Sequence, residues 1–149
     1  MYRLQTEPRR TYAVAERLFN KEGIVSSVGG PADDDNGFDR PDIVLGDRYG
    51  TSCAGVVTAE AERLLRRPGY SVARNNPYAG GFNTEHYGKP SQGLHALQIE
   101  LNRALYMDED RLERSAGFVQ VREDMTAFAA EMASRDWTSL GAGMRGAAF

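Results

Sequence analysis

Hydrophobic and polar residues alternate along residues 95–102, and this period of two is typical of a β-strand with two unlike faces. The apolar face consists of His95, Leu97, Ile99 and Leu101. The polar face consists of Ala96, Gln98, Glu100 and Asn102. The pattern fits an edge strand whose polar face meets water, and it also fits a strand whose polar face lines a cleft.

The segment before this strand, residues 77–93, is rich in residues that interrupt regular backbone, so we expect a long loop without helix or strand. These residues are Gly80, Gly81, Gly88, Gly93, Pro77 and Pro90. The loop also contains the large rings of Tyr78, Phe82, His86 and Tyr87. Long loops in compact domains are commonly either functional or disordered, and the aromatic content favours a functional loop. If it folds over the polar face of the strand, a carboxylate there would have a raised pKa suited to general-base catalysis.

Elsewhere helical and strand patterns alternate, and the length of the chain predicts a single domain over residues 1–149. The predicted helices cover residues 11–20, 54–67 and 121–137. The predicted strands cover residues 23–28, 42–45 and 70–74. Thr51 or Ser52 is expected to cap the second helix. The apolar stripe of the last helix, with Met125, Phe128 and Met132, indicates core packing rather than a cofactor site.

Arg48 follows the predicted strand at residues 42–45, and ligands of open α/β sheets collect at the carboxyl ends of strands. Its planar guanidinium is suited to binding a substrate carboxylate through two parallel hydrogen bonds. An ion pair with Asp47 or Asp42 would explain the residue equally well. Both interpretations therefore stay open at this point.

Composition narrows the classes of partner. The formal net charge is -3 with acidic and basic residues interspersed, so nucleic acid is not an expected partner. No apolar segment approaches the length of a membrane span, and we expect a cytoplasmic protein. Cys53 is the only cysteine, which excludes an internal disulfide and a cysteine-based metal site.

Several ordered sequence blocks, residues 40–53, 76–82, 86–88, 95–100 and 103–109, resemble the C-terminal half of N-formylglutamate amidohydrolases. The resemblance implies hydrolysis of N-formyl-L-glutamate, a small N-acyl amino acid, to formate and L-glutamate in histidine breakdown. It also implies an α/β fold with a mixed, mostly parallel open sheet and flanking helices, similar to zinc carboxypeptidases and aspartoacylase.

The resemblance further implies roles for individual residues. Glu100 would act as general base and proton shuttle on a metal-bound water, and the metal would be a divalent cation, zinc. Arg48 and Arg103 would orient the two carboxylates of the substrate. The remaining substrate-binding residues would be Gln98 from the strand and Tyr78, His86 and Tyr87 from the loop.

The metal ligands of the family are not found in this sequence. They would come from an early histidine-serine-glycine segment and a later aspartate-x-histidine-serine segment, whereas residues 23–30 read GIVSSVGG. Three explanations are open: an N-terminally truncated gene product, which we favour, a noncatalytic carboxylate-binding relative, or a chain completed by another polypeptide. A sheet without its early strands exposes an edge and an apolar face, so we expect self-association or a complementing chain.

Overall fold

The computed structural model describes residues 13–14 and 40–137, in which a four-stranded sheet carries the helices. The strands are β1 (Ala13–Val14), β2 (Ile43–Gly46), β3 (Val72–Arg74) and β4 (Ala96–Leu101). Their order in the sheet is β1-β4-β2-β3. β1 is parallel to β4 and β2 is parallel to β3, whereas β4 is antiparallel to β2. The expected α/β fold with a mixed sheet is therefore confirmed.

Three helices accompany the sheet: α1 (Gly55–Arg66), α2 (Phe82–Tyr87) and α3 (Phe118–Ser134). A small hairpin of β5 (Met107–Asp108) and β6 (Glu113–Arg114) precedes α3, and 3-10 turns lie at Pro90–Gln92 and Arg103–Leu105. The strands predicted at residues 42–45 and 70–74, and the helices predicted at 54–67 and 121–137, are confirmed with small shifts at their ends. In the described ranges, no helix combines the length and apolarity needed to cross a membrane.

The core lies where α1 and α3 pack together against the sheet. Ile43, Val44 and Leu45 of β2 have no exposed surface, so both faces of this strand are covered. The predicted stripe of α3 is buried as expected. A strand that is covered on both faces has an uninterrupted run of apolar residues. Polar functional side chains are therefore expected just after the end of β2 rather than within it.

The predicted helix over residues 11–20 is wrong at Ala13–Val14, which pair in parallel with Ala96 and Leu97 of β4. Pairing along the edge of β4 outweighs the helical spacing of these residues. The rest of this segment and the strand predicted at residues 23–28 lie outside the described residues.

The expectation of a loop without regular structure over residues 77–93 is also wrong, because this segment contains α2 and the Pro90–Gln92 turn. A helix of one to two turns is unstable alone and depends on tertiary contacts. Thr84 supplies such contacts, since it is 3% exposed. Its hydroxyl also makes a local hydrogen bond, donating to the carbonyl of the N-cap residue Gly81 over 2.7 Å. Gly81 and Gly88 thus mark the ends of α2.

Neither Thr51 nor Ser52 caps α1 as predicted, because the N-cap is Ala54 and has no side-chain cap. The Thr51 hydroxyl donates to the Arg48 carbonyl over 2.7 Å, and the Ser52 hydroxyl donates to the Ala96 carbonyl over 2.9 Å. These two hydroxyls therefore fix the turn after β2 and join it to the start of β4.

Candidate active site

The sheet has two borders that run across the ends of its strands, and they carry different side chains; these borders, not the outermost strands, are called edges below. At one edge, the carboxyl ends of β2 and β3 lie beside the first half of β4, because Gly46 pairs with Gln98 in the antiparallel register. We call this the site edge. At the other, Ile43 pairs with Leu101, and we call this the opposite edge.

Glu100 lies on β4 with only 2% of its surface exposed. Gln98, its neighbour on the same face, donates from Nε2 to Glu100 Oε1. The Gln98 Oε1 atom in turn accepts a 2.8 Å hydrogen bond from the amide of Gly81. The segment that carries α2 therefore contacts the polar face of β4 at Gln98, and a chain of hydrogen bonds leads from that segment through Gln98 to the Glu100 carboxylate.

The α2 segment lies directly on the end of β2 and on the turn after it, and Gly46 and Gly88 permit this approach. A Cβ atom at Gly46 would lie 2.7 Å from the backbone nitrogen of Gly80, and one at Gly88 would lie 2.5 Å from the carbonyl oxygen of Ser52. A side chain at either position would push the segment away from β2 or from the turn. A Cβ atom at Gly80 would instead crowd Thr84 Oγ1 within the segment, at 2.5 Å. The glycines that predicted an irregular loop thus allow close packing over the site edge.

Arg48 is held against the same segment. Its amide donates to the Ala79 carbonyl over 2.7 Å, and its Nη1 donates to the Gly80 carbonyl over 3.3 Å. Its Nη2 lies 3.4 Å from Glu85 Oε1, with 34% of the Arg48 side chain and 64% of the Glu85 side chain exposed. The guanidinium is therefore placed at the site edge but remains accessible from solvent.

Asp47 and Asn75, which the sequence interpretation did not select, form a network at the site edge. The Asp47 carboxylate accepts hydrogen bonds from Asn75 Nδ2 (2.7 Å), the Gly50 amide (3.0 Å) and the Thr58 hydroxyl (2.9 Å). Asn75 Oδ1 accepts from the amides of Asp47 (3.1 Å) and Tyr49 (3.3 Å). Each of the two residues directly follows a strand, and this position was the available sequence signal. The network ties the ends of β2 and β3 together.

The alternative ion pairs considered for Arg48 are not the ones that form. The Asp47 carboxylate is used by the network just described, and Asp42 is bonded to Ser71 at the opposite edge. Among the described residues, the ion-pair partner of Arg48 is Glu85.

The aromatic residues expected to close the site lie on or next to α2 with their rings largely exposed. The His86 ring stacks on Phe82 with centroids 5.2 Å apart and meets the Tyr87 ring edge-on at 4.7 Å. Phe82 is 71% exposed, Tyr87 57% and Tyr78 39%. The structure thus groups His86 and Tyr87 on the segment that covers Gln98, but on its solvent side.

Arg103 is not brought together with Arg48. It follows β4 at the opposite edge, where its Nη1 lies 3.2 Å from Glu109 Oε2. In the expected, mostly parallel sheet, the carboxyl ends of β2 and β4 would share an edge. The antiparallel pairing of β4 with β2 separates them instead.

His95 and Cys53 are both buried and electrically neutral. The Nδ1 atom of His95 accepts a 3.1 Å hydrogen bond from the Ala54 amide, and burial lowers its pKa. Burial raises the pKa of the Cys53 thiol to about 11. His95 therefore joins the start of β4 to the start of α1 in its uncharged form.

The side chains of residues 40–137 do not form a metal site. No three His, Cys, Asp or Glu side chains converge there in an arrangement that could hold a metal ion. His95 already uses Nδ1 in a structural hydrogen bond, and Glu100 is engaged by Gln98. The described residues therefore do not supply the ligand set that the family resemblance implies.

Comparison with known proteins identifies the family. A family model for N-formylglutamate amidohydrolase matches residues 25–107, more than half of the 149-residue chain. The chain belongs to the N-formylglutamate amidohydrolase family. The match includes Arg48 and Gln98 at the site edge and Glu100 two residues further along β4, so the candidate site lies within the family-defining part of the chain.

Individual members of the N-formylglutamate amidohydrolase family agree with this assignment. The N-formylglutamate deformylase of Pseudomonas aeruginosa is 43% identical over 70 residues, which cover 46% of this chain and 26% of that protein. The deformylase of Pseudomonas putida is 42% identical over 73 residues, with the same two shares covered. The crystal structure of N-formylglutamate amidohydrolase from Ralstonia eutropha matches with a TM-score of 0.63 at 40% identity, covering 66% of this chain and 35% of that one. The chain thus spans about a quarter of the length of the two deformylases.

Proposed function

We propose that this chain contributes the general-base and carboxylate-binding part of an amide-hydrolysing site of the N-formylglutamate amidohydrolase type. The substrate would be N-formyl-L-glutamate, and the products formate and L-glutamate, as in histidine breakdown. The observation that carries the proposal is the buried Glu100 carboxylate, which Gln98 links to the segment against which Arg48 is held. The names of the relatives support the same reaction.

Glu100 acts as the general base in this proposal. Its carboxylate takes a proton from the attacking water as the water oxygen bonds to the formyl carbon. It then returns that proton to the amide nitrogen as the carbon–nitrogen bond breaks, which releases formate and L-glutamate. Gln98 restricts the orientation of the carboxylate because its own amide is fixed by Gly81. Such prior orientation lowers the entropic part of the barrier.

Arg48 binds a carboxylate of the substrate in this proposal. Exposed ion pairs contribute little to stability, so the pair with Glu85 can exchange for a pair with a ligand carboxylate at small cost. Tyr78, His86 and Tyr87 would then close over the bound ligand by a shift of the α2 segment. Arg103 lies at the opposite edge and has no part in this arrangement.

The family resemblance also implies a zinc-carboxypeptidase-like fold and a divalent metal, zinc, which would act as a Lewis acid on the formyl oxygen. The described residues do not supply ligands for this metal, so the roles proposed for Glu100 and Arg48 do not involve it. The same observation favours a second candidate function, a noncatalytic carboxylate-binding module or a part completed by a partner chain.

Formate release and metal content, measured together, separate the two functions. The purified chain would be incubated with N-formyl-L-glutamate, with and without added zinc or cobalt, while L-glutamate binding is followed by calorimetry. Formate release that tracks bound metal supports the hydrolase. Glutamate binding without bound metal and without formate supports the binding module. If neither formate release nor glutamate binding occurs, the carboxylate site proposed around Arg48 is wrong.

A further inference from the structure

Strands β2 and β3 are joined at both ends by reciprocal side-chain pairs of similar design. At the opposite edge, the Asp42 amide donates to Ser71 Oγ over 2.8 Å, and Ser71 Oγ donates to Asp42 Oδ2 over 2.9 Å. At the site edge, the Asp47 amide donates to Asn75 Oδ1 over 3.1 Å, and Asn75 Nδ2 donates to Asp47 Oδ1 over 2.7 Å. Both pairs join β2 to β3. If only one pair also affects ligand binding, the cause must be a contact that the other pair lacks.

The two pairs differ in the backbone conformation of the residues that they contact. Arg48, Tyr49 and Asn75 all have left-handed backbone, with φ values of 50°, 56° and 59°. For non-glycine residues this conformation is sterically unfavourable, less so for asparagine. Such strain persists only where the surroundings enforce it, and it concentrates at functional sites.

Asn75 is the residue that enforces it. Its Oδ1 accepts from the amides of Asp47 and Tyr49, which are the residues immediately before and after Arg48. A single oxygen atom therefore accepts hydrogen bonds from the backbone amides on both sides of Arg48. The Arg48 amide itself donates to the Ala79 carbonyl. Arg48 is thus held between β3 on one side and the α2 segment on the other.

We propose that Asn75 is a positioning residue for the carboxylate ligand, because it holds Arg48 in the left-handed conformation that directs the guanidinium to the site edge. This inference rests on the proposed role of Arg48 in carboxylate binding. Asn75 does not touch the ligand and acts only through Arg48.

The test compares Asn75→Gly with Ser71→Ala as the matched control. Glycine adopts left-handed backbone without steric cost, so Asn75→Gly removes the side-chain hydrogen bonds and keeps the conformation accessible. Ser71→Ala removes the hydroxyl of the equivalent pair at the opposite edge. Three quantities are measured for each variant: the melting temperature, hydrogen exchange at the Arg48 amide, and the Kd for L-glutamate. The Arg48 amide is informative because its partner is Ala79 rather than Asn75.

We expect Asn75→Gly to speed exchange at the Arg48 amide and to raise the Kd about tenfold, the effect of losing one hydrogen bond to a charged group. Ser71→Ala should leave both quantities unchanged, even if it lowers the melting temperature as much. The proposal is overturned if Asn75→Gly leaves the Kd and the exchange unchanged, or if Ser71→Ala raises the Kd equally.

A second variant keeps the test decisive if Asn75→Gly does not fold. Asn75→Ser replaces the amide with a shorter, uncharged hydroxyl, so no second carboxylate is placed against Asp47, whose Oδ1 lies 2.7 Å from Asn75 Nδ2. It should also speed exchange at the Arg48 amide, and protection equal to that of the unaltered chain would contradict the proposed role of Asn75. If the unaltered chain does not bind L-glutamate, the proposed function is wrong, whereas the Arg48 exchange rates still decide whether Asn75 positions this residue.

Discussion

The site edge and the opposite edge of the sheet each carry an arginine paired with a glutamate, yet the two pairs differ in exposure. At the site edge, the side chains of Arg48 and Glu85 are 34% and 64% exposed. At the opposite edge, those of Arg103 and Glu109 are 36% and 11% exposed. The arginines are similarly accessible, and the difference lies in the carboxylate.

This difference separates a ligand-exchangeable pair from a structural one. A solvated carboxylate such as that of Glu85 can leave its arginine with little loss, since water replaces the contact. Removing a partner from a mostly buried carboxylate such as that of Glu109 leaves a poorly solvated charge, which is costly. The exposure of the acid, rather than the presence of an ion pair, therefore indicates which arginine is available to a substrate.

The largest expected effect concerns the buried Glu100, with the partly buried Glu109 as the control. In a preparation that releases formate, Glu100→Gln should lower turnover by about 100-fold or more, the lower range for a positioned acid or base, because the proton acceptor is lost. Glu109→Gln, at the opposite edge, should leave turnover unchanged while lowering the melting temperature. Steady-state kinetics and thermal unfolding of both variants provide the measurement. Turnover near that of the unaltered protein in Glu100→Gln would remove Glu100 from the mechanism.

A smaller effect is expected from the two arginines. Lysine keeps the charge of Arg48 but loses its planar pair of donors, so Arg48→Lys should weaken L-glutamate binding by roughly 1–3 kcal/mol, comparable to a charged hydrogen bond. Arg103→Lys should not change the affinity. Calorimetric titration of both variants makes the comparison. If Arg48→Lys lowers only the melting temperature while Arg103→Lys weakens binding, the roles of the two edges are reversed.

The smallest effect should appear in mild acid. Both histidines of the sequence, His86 and His95, lie toward the site edge, and burial lowers the pKa of His95. The unfolded chain therefore takes up a proton near pH 6.5 before the folded chain does, so the contribution of His95 to stability is complete above that pH and is lost as the pH falls. Melting temperatures between pH 8 and pH 5 should fall less steeply in His95→Gln than in the unaltered protein. Parallel curves for His95→Gln and the unaltered protein would show that His95 titrates alike when folded and unfolded.

The sequence predicted the elements whose patterns are local. The alternation in β4 placed Gln98 and Glu100 on one face, and the helical spacing of Met125 and Phe128 predicted the buried side of α3. These predictions succeed because the period of side chains along a strand or helix depends only on that element.

The remaining features depend on how elements meet. The family resemblance implies a shared role for Arg48 and Arg103, but the antiparallel pairing of β4, which cannot be deduced from the strand itself, places the two residues at different edges. The helix α2 was missed because it is stabilised by burial of Thr84 rather than by helix propensity. The link between Asp47 and Asn75 spans 28 positions and requires the register of β2 and β3.

The two reciprocal pairs between β2 and β3 also bear on the order in which the protein folds. They close segments of 29 and 28 positions around α1, whereas Glu100 meets Val44 across 56 positions (100 − 44). Shorter loops lose less chain entropy on closure and tend to form earlier. We therefore expect the unit formed by β2, α1 and β3 to be structured in the folding transition state, with high φ-values at Asp42 and Asp47 and lower ones in β4. Arg48 would then be positioned before Glu100, which reaches the site only when β4 pairs with β2.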